Sequence, residues 1–249
     1  MSVDDIKLVG VMGGGVMGGG IAQTFAAHGF QTIIRDLNDE LIEKTRASMV
    51  EGRFGLKGSV ERGKMTQPEF EATVARFSFT KEANDLRNCD LIVEAVPENL
   101  DLKKSVFSEL DGLVKKEAIF ASNTSGFAIS DVNKAVSRRD RFIGFHWFSP
   151  AFIMKPIEIV YAPETSQETI ETMVTLTERL GKVPIRVKDA PGKYGFVANR
   201  IYFAMVAEAR KVLEEGVASA EDIDNAMKLG FNWPVGPLAM VQGARSGWQ

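Results

Sequence analysis

The sequence has 249 residues, 45% of them hydrophobic, which is enough for one main domain and a smaller one. Its formal net charge of −3 disfavours nucleic acid and anionic membranes as partners. With Cys89 as the only cysteine and two histidines, an intrachain disulfide is excluded and no metal site is predicted. No run of about 20 apolar residues is present, so we predict a cytoplasmic protein without a membrane span.

Short apolar segments alternate with longer amphipathic ones, a pattern typical of βαβ units around a mostly parallel sheet. Near-continuous apolar runs such as LIVEAV indicate strands that are buried on both faces. The pattern predicts a Rossmann-type, doubly wound α/β fold. The predicted strands are residues 6–12, 32–36, 91–96, 119–122, 142–147, 157–161 and 184–187.

Four segments have a helical pattern beyond the helix that follows the first strand. Residues 41–75 are charged and interrupted by GRFGLKGSVERGK, which predicts a helical hairpin projecting from the sheet. Residues 165–180 open with Thr-x-x-Glu, the spacing of a capping box. Residues 195–215 are closed by Gly216, and residues 219–230 end at Gly230, which predicts two further helices.

The alternation of strands and helices stops after residue 187, and the composition changes at Pro191 and Gly192. We therefore place a domain boundary here. The prediction is a Rossmann-type domain at 1–190, followed by a smaller all-α domain at 191–249.

The glycine-rich stretch MGGGVMGGGIAQ lies between the first predicted strand and a helix, and it fits G-x-G-x-x-G in one register. In that register Gly13 allows a tight turn, Gly15 allows a pyrophosphate to approach, and Gly18 allows close packing of helix on strand. The exposed N–H groups here, with Val16 and Met17 in the same turn, predict a dinucleotide phosphate site.

Asp36 ends the second predicted strand, 18 residues after Gly18. A carboxylate at this position accepts hydrogen bonds from the adenosine ribose and repels a 2′-phosphate, so NAD is favoured over NADP. Arg35, the preceding residue, would instead favour NADP. Neighbouring strand residues face opposite sides, however, so Arg35 need not compete with Asp36.

The two histidines are the candidates for a general base. His28 is most simply a cap at the end of the first helix. His146 lies at the carboxyl end of a predicted strand, at the edge where α/β sheets bind ligands, although a buried core histidine is the alternative. A histidine that acts as a base needs a carboxylate to stabilise its charged form. Glu158 is an acid in an otherwise apolar strand, where a charge is unfavourable unless it is paired, so it is the candidate partner. The other interpretation is that Glu158 lies on an edge strand and faces water.

Several segments, in this order, resemble the L-3-hydroxyacyl-CoA dehydrogenase family: VMGGGVMGGGIAQTFAAHGF, RDL, VEAVPENLDLKKSVF, SNTSGFAISD, GFHWFSPAFIMKPIEIV, GFVANR and DIDNAMKLGFNWPVGP. The resemblance covers nearly the whole chain. It implies NAD-dependent oxidation of an L-3-hydroxyacyl-CoA to the 3-ketoacyl-CoA, in β-oxidation or its short-chain reverse. A homodimer is implied for a complete family member.

The resemblance also implies roles for individual residues. His146 takes the proton of the substrate 3-hydroxyl, and Glu158 orients it. Ser122 matches a serine that hydrogen-bonds the reacting oxygen close to the nicotinamide. Further cofactor contacts are implied for Glu98, Lys103 and Ser149, and substrate contacts for Asn199 and Arg62, with Lys64 as a rival to Arg62.

The chain departs from the family pattern in three places. Ser149 stands where the family usually has Asn, and PGKYGF carries an insertion-like Lys193 and Tyr194. The family usually continues for a few more helices, so we expect a shortened helical domain. Two other functions stay open at this point: an NAD dehydrogenase of a small free hydroxy acid, and a non-catalytic NAD-binding relative.

Overall fold

The computed structural model describes residues 1–245 and divides into two compact units. The first is Met1–Phe196, and the second begins at Val197. The boundary predicted between residues 190 and 191 lies just before this division.

An eight-stranded sheet forms the centre of the first unit, in the order β3-β2-β1-β4-β5-β6-β7-β8. The first six strands are parallel, β7 is antiparallel to β6, and β8 is parallel to β7. The strands are β1 (Leu8–Met12), β2 (Gln31–Arg35), β3 (Phe77–Thr80), β4 (Leu91–Glu94), β5 (Ile119–Ser122), β6 (Phe142–Trp147), β7 (Pro156–Tyr161) and β8 (Val183–Lys188). The predicted mostly parallel α/β fold is confirmed. The prediction missed β3, whose sequence FSFT is short and only partly buried at the sheet edge.

The helices of the first unit are α1 (Val16–Ala27), α2 (Asp39–Glu51), α3 (Leu56–Glu61), α4 (Gln67–Val74), α5 (Leu100–Asp111), α6 (Ile129–Val132) and α7 (Gln167–Arg179). The segment predicted as a hairpin contains three helices, α2 to α4, and the polar interruption includes α3. Both α2 and α4 contact α1, which connects this segment to the sheet domain.

Two helix caps show how local chemistry sets the element ends. His28 ends α1 as predicted, with its Nδ1 2.8 Å from the Thr24 carbonyl. The capping-box prediction at Thr165 was wrong by one residue, because Ser166 caps α7 by accepting a hydrogen bond from the Thr169 N–H. Thr165 is buried, and its hydroxyl donates to the Phe142 carbonyl on β6 at 2.8 Å instead.

Apolar side chains pack on both faces of the sheet because successive strand residues point to opposite sides. On β4, Leu91 and Val93 pack on one face with Phe25 of α1, while Ile92 packs on the other face with Phe107 of α5. The central strands are therefore buried on both faces, as the continuous apolar runs predicted.

The second unit is helical, with α8 (Val197–Glu214), α9 (Ala220–Phe231) and α10 (Pro237–Arg245). Ser219 caps α9 by accepting a hydrogen bond from the Asp222 N–H, and Asn232 ends it with a left-handed backbone, φ 57°. None of the helices within residues 1–245 has the length and apolar character that a membrane span requires.

Candidate active site

The three glycines of the motif have three different surroundings at the start of α1. Gly13 has φ +90°, a backbone conformation that L side chains rarely adopt. A Cβ added at Gly18 would lie 1.8 Å from the Gly13 carbonyl oxygen, whereas a Cβ at Gly15 would meet nothing within 4 Å. Gly15 is the N-cap and offers no side chain to the N–H groups of Val16 and Met17, so these donors stay available to a phosphate.

A cleft of about 660 Å³ opens beside this turn, at the carboxyl ends of β1, β2 and β4. Gly13, Gly15, Val16 and Asp36 all line it. The strand order reverses between β1 and β4, and open α/β sheets bind their ligands at such a switch point. The cleft therefore fits the adenosine and pyrophosphate of a dinucleotide.

Asp36 is held at the edge of the cleft by the backbone. One carboxylate oxygen accepts a hydrogen bond from the Gly14 N–H and the other from the Leu37 N–H, both at 2.8 Å. Each oxygen keeps a second lone pair that can accept from a ribose hydroxyl. Thr45 of α2 donates to the Gly14 carbonyl at 2.8 Å, and its hydroxyl oxygen would lie 2.4 Å from a Cβ at Gly14. The backbone at position 14 thus lies close to α2, which explains why this residue is a glycine. The sequence had assigned it no role.

The different surroundings of two glycines predict a contrast between alanine variants. Gly15→Ala is expected to lower the melting temperature only slightly, as a less favourable N-cap, but to bind NADH more weakly, because its methyl group occupies the phosphate approach. Gly18→Ala is expected to lower the melting temperature, because the new Cβ would overlap the Gly13 carbonyl. Calorimetry and NADH fluorescence titration measure both effects. Equal effects of the two variants on stability would contradict this assignment.

His146 and Glu158 form a buried pair between neighbouring strands. They lie opposite each other in the antiparallel register of β6 and β7, with His146 Nδ1 2.7 Å from Glu158 Oε2. The side chains are 5% and 2% exposed, and β8 covers the outer side of β7, so Glu158 is not on a water-facing edge. Because a carboxylate only accepts hydrogen bonds, Nδ1 is the donor to Glu158, and in a neutral imidazole Nε2 is then the nitrogen with the lone pair.

The rings of two phenylalanines flank this histidine. Phe148 lies 4.8 Å from the His146 ring and Phe196 lies 5.7 Å from it, measured between ring centroids. They restrict the orientation of the imidazole and reduce its contact with water. Such surroundings strengthen a charge interaction between the histidine and its carboxylate.

A second buried cluster surrounds Glu94, a residue that sequence reasoning missed. Its side chain accepts hydrogen bonds from Lys103 Nζ at 2.8 Å, Ser122 Oγ at 2.6 Å and the Val96 N–H at 2.8 Å. Burial raises the pKa of Glu94 above its ordinary value, while Lys103 and Ser122 act in the opposite direction. The available signal was an acid in the apolar run LIVE, the same signal that indicated Glu158.

Lys103 connects this cluster to the next loop. Its ammonium lies 3.1 Å from Glu98 Oε2, and Glu98 Oε1 accepts hydrogen bonds from Thr124 Oγ1 at 2.6 Å and the Ser125 N–H at 2.9 Å. The side chain of Lys103 is 1% exposed. Its buried ammonium therefore holds the strand ends together, and a direct contact with the cofactor stays a prediction.

The sheet register places these groups along one edge. Met12 is paired with Glu94, Glu94 with Ser122, and Ser122 with Gly144, two residues before His146. The carboxyl ends of β1, β4, β5 and β6 thus bring together the glycine turn, the Glu94 cluster and the His146–Glu158 pair. Ser122 and His146 therefore lie on neighbouring strands at this edge.

The other predicted site residues lie elsewhere. Ser149 is exposed in the loop after β6, and Arg62 ends α3 with its guanidinium over Gly58, outside the lining of the cleft. Lys64 is exposed after α3. Asn199 lies in the first turn of α8, in the second unit. Their substrate and cofactor contacts stay predictions.

Comparison with known proteins agrees with this geometry. The model of the 3-hydroxyacyl-CoA dehydrogenase NAD binding domain matches residues 8–190, and that of the 3-hydroxyacyl-CoA dehydrogenase C-terminal domain matches residues 195–245. The chain belongs to the 3-hydroxyacyl-CoA dehydrogenase family. The predicted family, NAD as cofactor and the class of NAD-dependent oxidoreductase are thereby confirmed.

Individual relatives show how far the similarity extends. The mitochondrial hydroxyacyl-coenzyme A dehydrogenase of Rattus norvegicus is 41% identical over 239 residues, covering 95% of this chain and 75% of the relative. The 3-hydroxybutyryl-CoA dehydrogenase of Clostridioides difficile is 39% identical, covering 92% of this chain and 80% of the relative. The crystal structure of (S)-3-hydroxybutyryl-CoA dehydrogenase from Ralstonia eutropha has a TM-score of 0.90 at 40% identity, covering 94% of this chain and 81% of that one.

Proposed function

We propose that this dehydrogenase oxidises the 3-hydroxyl of an L-3-hydroxyacyl-CoA with His146 as general base. The observation that carries the proposal is the 2.7 Å hydrogen bond between His146 Nδ1 and the buried Glu158 carboxylate. With Nδ1 protonated, Nε2 is the basic nitrogen and can take the proton of the substrate hydroxyl. The imidazolium that results is stabilised by Glu158, which also fixes the ring orientation.

Ser122 is proposed to contact the reacting oxygen. Its hydroxyl donates to Glu94 at 2.6 Å in the structure, and this hydrogen is proposed to turn to the reacting oxygen when substrate binds, because the single hydrogen of the substrate hydroxyl goes to His146. The Thr124 N–H, 3.2 Å from Ser122 Oγ, holds the serine in this orientation. Glu94 is a positioning residue in this arrangement, because it acts on the substrate through Ser122.

The residues of the cleft are proposed to hold NAD. The donors at Gly15, Val16 and Met17 would bind its phosphates, and Asp36 would bind the adenosine ribose. When bound, the nicotinamide supplies the acceptor for the hydride of the substrate. The protein then holds the hydroxyl proton at His146 and keeps the site away from water.

The identity of the substrate is tested with acetoacetyl-CoA and free acetoacetate, each with NADH. We expect kcat/KM to fall roughly 100-fold or more without coenzyme A, because binding energy from remote parts of a substrate assists the reacting centre. The loss of NADH absorbance measures both rates. Equal rates would favour a dehydrogenase of small free hydroxy acids, and NADH binding without turnover of either compound would favour a non-catalytic relative.

We further propose that the protein forms a homodimer and is located in the cytoplasm. The relatives include a mitochondrial enzyme and a bacterial one, so relatives alone give no single location. Light scattering after size-exclusion chromatography measures the oligomeric state. A monomer at assay concentration would contradict the dimer.

A further inference from the structure

The end of β2 carries two residues with opposite preferences for the cofactor. Arg35 is the last residue of β2, Asp36 follows it, and both line the cleft beside the glycine turn. An acid at this position favours NAD, whereas an arginine nearby accommodates the 2′-phosphate of NADP. The surroundings of Arg35 therefore matter for the choice of cofactor.

In the structure the guanidinium of Arg35 is bound by Glu109 of α5. Nη1 lies 3.0 Å from Glu109 Oε2, and Nη2 lies 3.1 Å from Oε1, which is a bidentate pair. The remaining nitrogen, Nε, donates to the Lys81 carbonyl at 3.0 Å. Each nitrogen of the guanidinium thus has an acceptor within the protein, and a planar bidentate pair of this kind is strong and directional.

Glu109 also lines the cleft. Among the residues that the structure describes, four charged side chains line it, Arg35, Lys44, Asp36 and Glu109, so the cations and anions are balanced. Without Glu109, the same cleft has two cations and one anion, and the guanidinium of Arg35 has a free edge. That arrangement attracts a 2′-phosphate more strongly than the present one does.

We infer that Glu109 is a specificity-determining residue, which excludes NADP by occupying and neutralising Arg35. The inference rests on the proposed role of the cleft in holding the adenosine ribose. Asp36 repels a 2′-phosphate directly, and Glu109 occupies Arg35, which would otherwise bind that phosphate. The two side chains are 18% and 45% exposed, so this pair is accessible from the cleft.

The test compares Glu109→Gln, Arg35→Gln and the double variant with the original chain. Titration of each with NADPH and with NADH, followed by cofactor fluorescence, gives the ratio of the two affinities. Glu109→Gln is expected to shift the ratio roughly tenfold towards NADPH, because a charge-assisted bond from Arg35 to the 2′-phosphate replaces the pair with Glu109. The shift is expected to disappear in the double variant, which lacks the arginine.

Glu82→Gln is the control for net charge. It removes one acid from the same region of the surface, but Glu82 does not line the cleft, so the affinity ratio should not change. The inference is overturned if Glu109→Gln leaves the ratio unchanged, or if the shift persists without Arg35. Because binding is measured without acyl-CoA, the test remains valid even if the proposed substrate is wrong. If the original chain did not bind NADH, the proposal that this cleft holds the cofactor would be wrong.

Discussion

His146→Gln is expected to lower kcat for the reduction of acetoacetyl-CoA by about two to four orders of magnitude, the range typical for loss of a general acid–base group, since the base of the oxidation is the acid of the reverse reaction. Gln retains an amide donor for Glu158, so the buried carboxylate keeps a partner and the fold should persist. NADH binding should also persist, because the cleft is lined by other residues. Stopped-flow turnover and NADH titration together separate loss of chemistry from loss of cofactor.

The other histidine provides a matched control for this variant. His28 ends α1, and its ring nitrogen contacts only a backbone carbonyl among the described hydrogen bonds. His28→Gln should therefore keep kcat within about twofold of the original, since surface changes at a helix end have small effects. If His146→Gln kept its activity to the same extent, the base would have to be a different group.

Lys103→Met is expected to lower the free energy of unfolding by about 3–5 kcal/mol at neutral pH, because it leaves the buried carboxylate of Glu94 without its cation. Urea unfolding followed by tryptophan fluorescence measures this loss. Lys104→Met is the matched control on the same helix. Lys104 is partly exposed, so its replacement should change stability by no more than about 0.5 kcal/mol.

The pH dependence of the Lys103→Met variant tests the cause of its instability. Burial raises the pKa of Glu94 in the folded chain above its value in the unfolded chain. A group with a raised carboxyl pKa supports folding at low pH, and this contribution is lost as the pH rises through the folded-state value. Without Lys103 the pKa of Glu94 rises further, so the deficit should be smaller at about pH 5 than at about pH 8. A deficit that does not depend on pH would point to lost packing instead of an unpaired charge.

The cofactor turn illustrates what local sequence can predict. One register between a strand and a helix predicts the roles of Gly13, Gly15 and Gly18, and the positive φ of Gly13 and the lack of room for a Cβ at Gly18 agree with it. The tight turn, the phosphate approach and the helix packing all depend on residues close in the chain. The same holds for the caps at His28 and Ser219.

The partner of Glu158 could be predicted only in part from the sequence. The cost of a charge in an apolar strand indicates that a partner exists, but it leaves the choice between a partner and water open. The antiparallel pairing of β6 and β7 decides it, because the register places Glu158 opposite His146 and β8 covers the outer side.

Glu94 and Glu109 show where sequence reasoning stops. The partner of Glu94, Lys103, is nine residues away on a helix, where a lysine ordinarily contacts solvent. Glu109 is 74 residues from Arg35. No local sequence pattern indicates either pair, because each forms only when α5 packs against the sheet.

The sequence by itself determined the α/β class, most of the strands, the dinucleotide turn and the family, because these depend on periodicity, turn chemistry and motifs within short stretches. Only the tertiary structure decided which charges meet: His146 with Glu158, Glu94 with Lys103 and Ser122, and Arg35 with Glu109. The physical reason is that a charge buried in a low dielectric requires a partner, while the identity of that partner is set by strand order, register and helix packing.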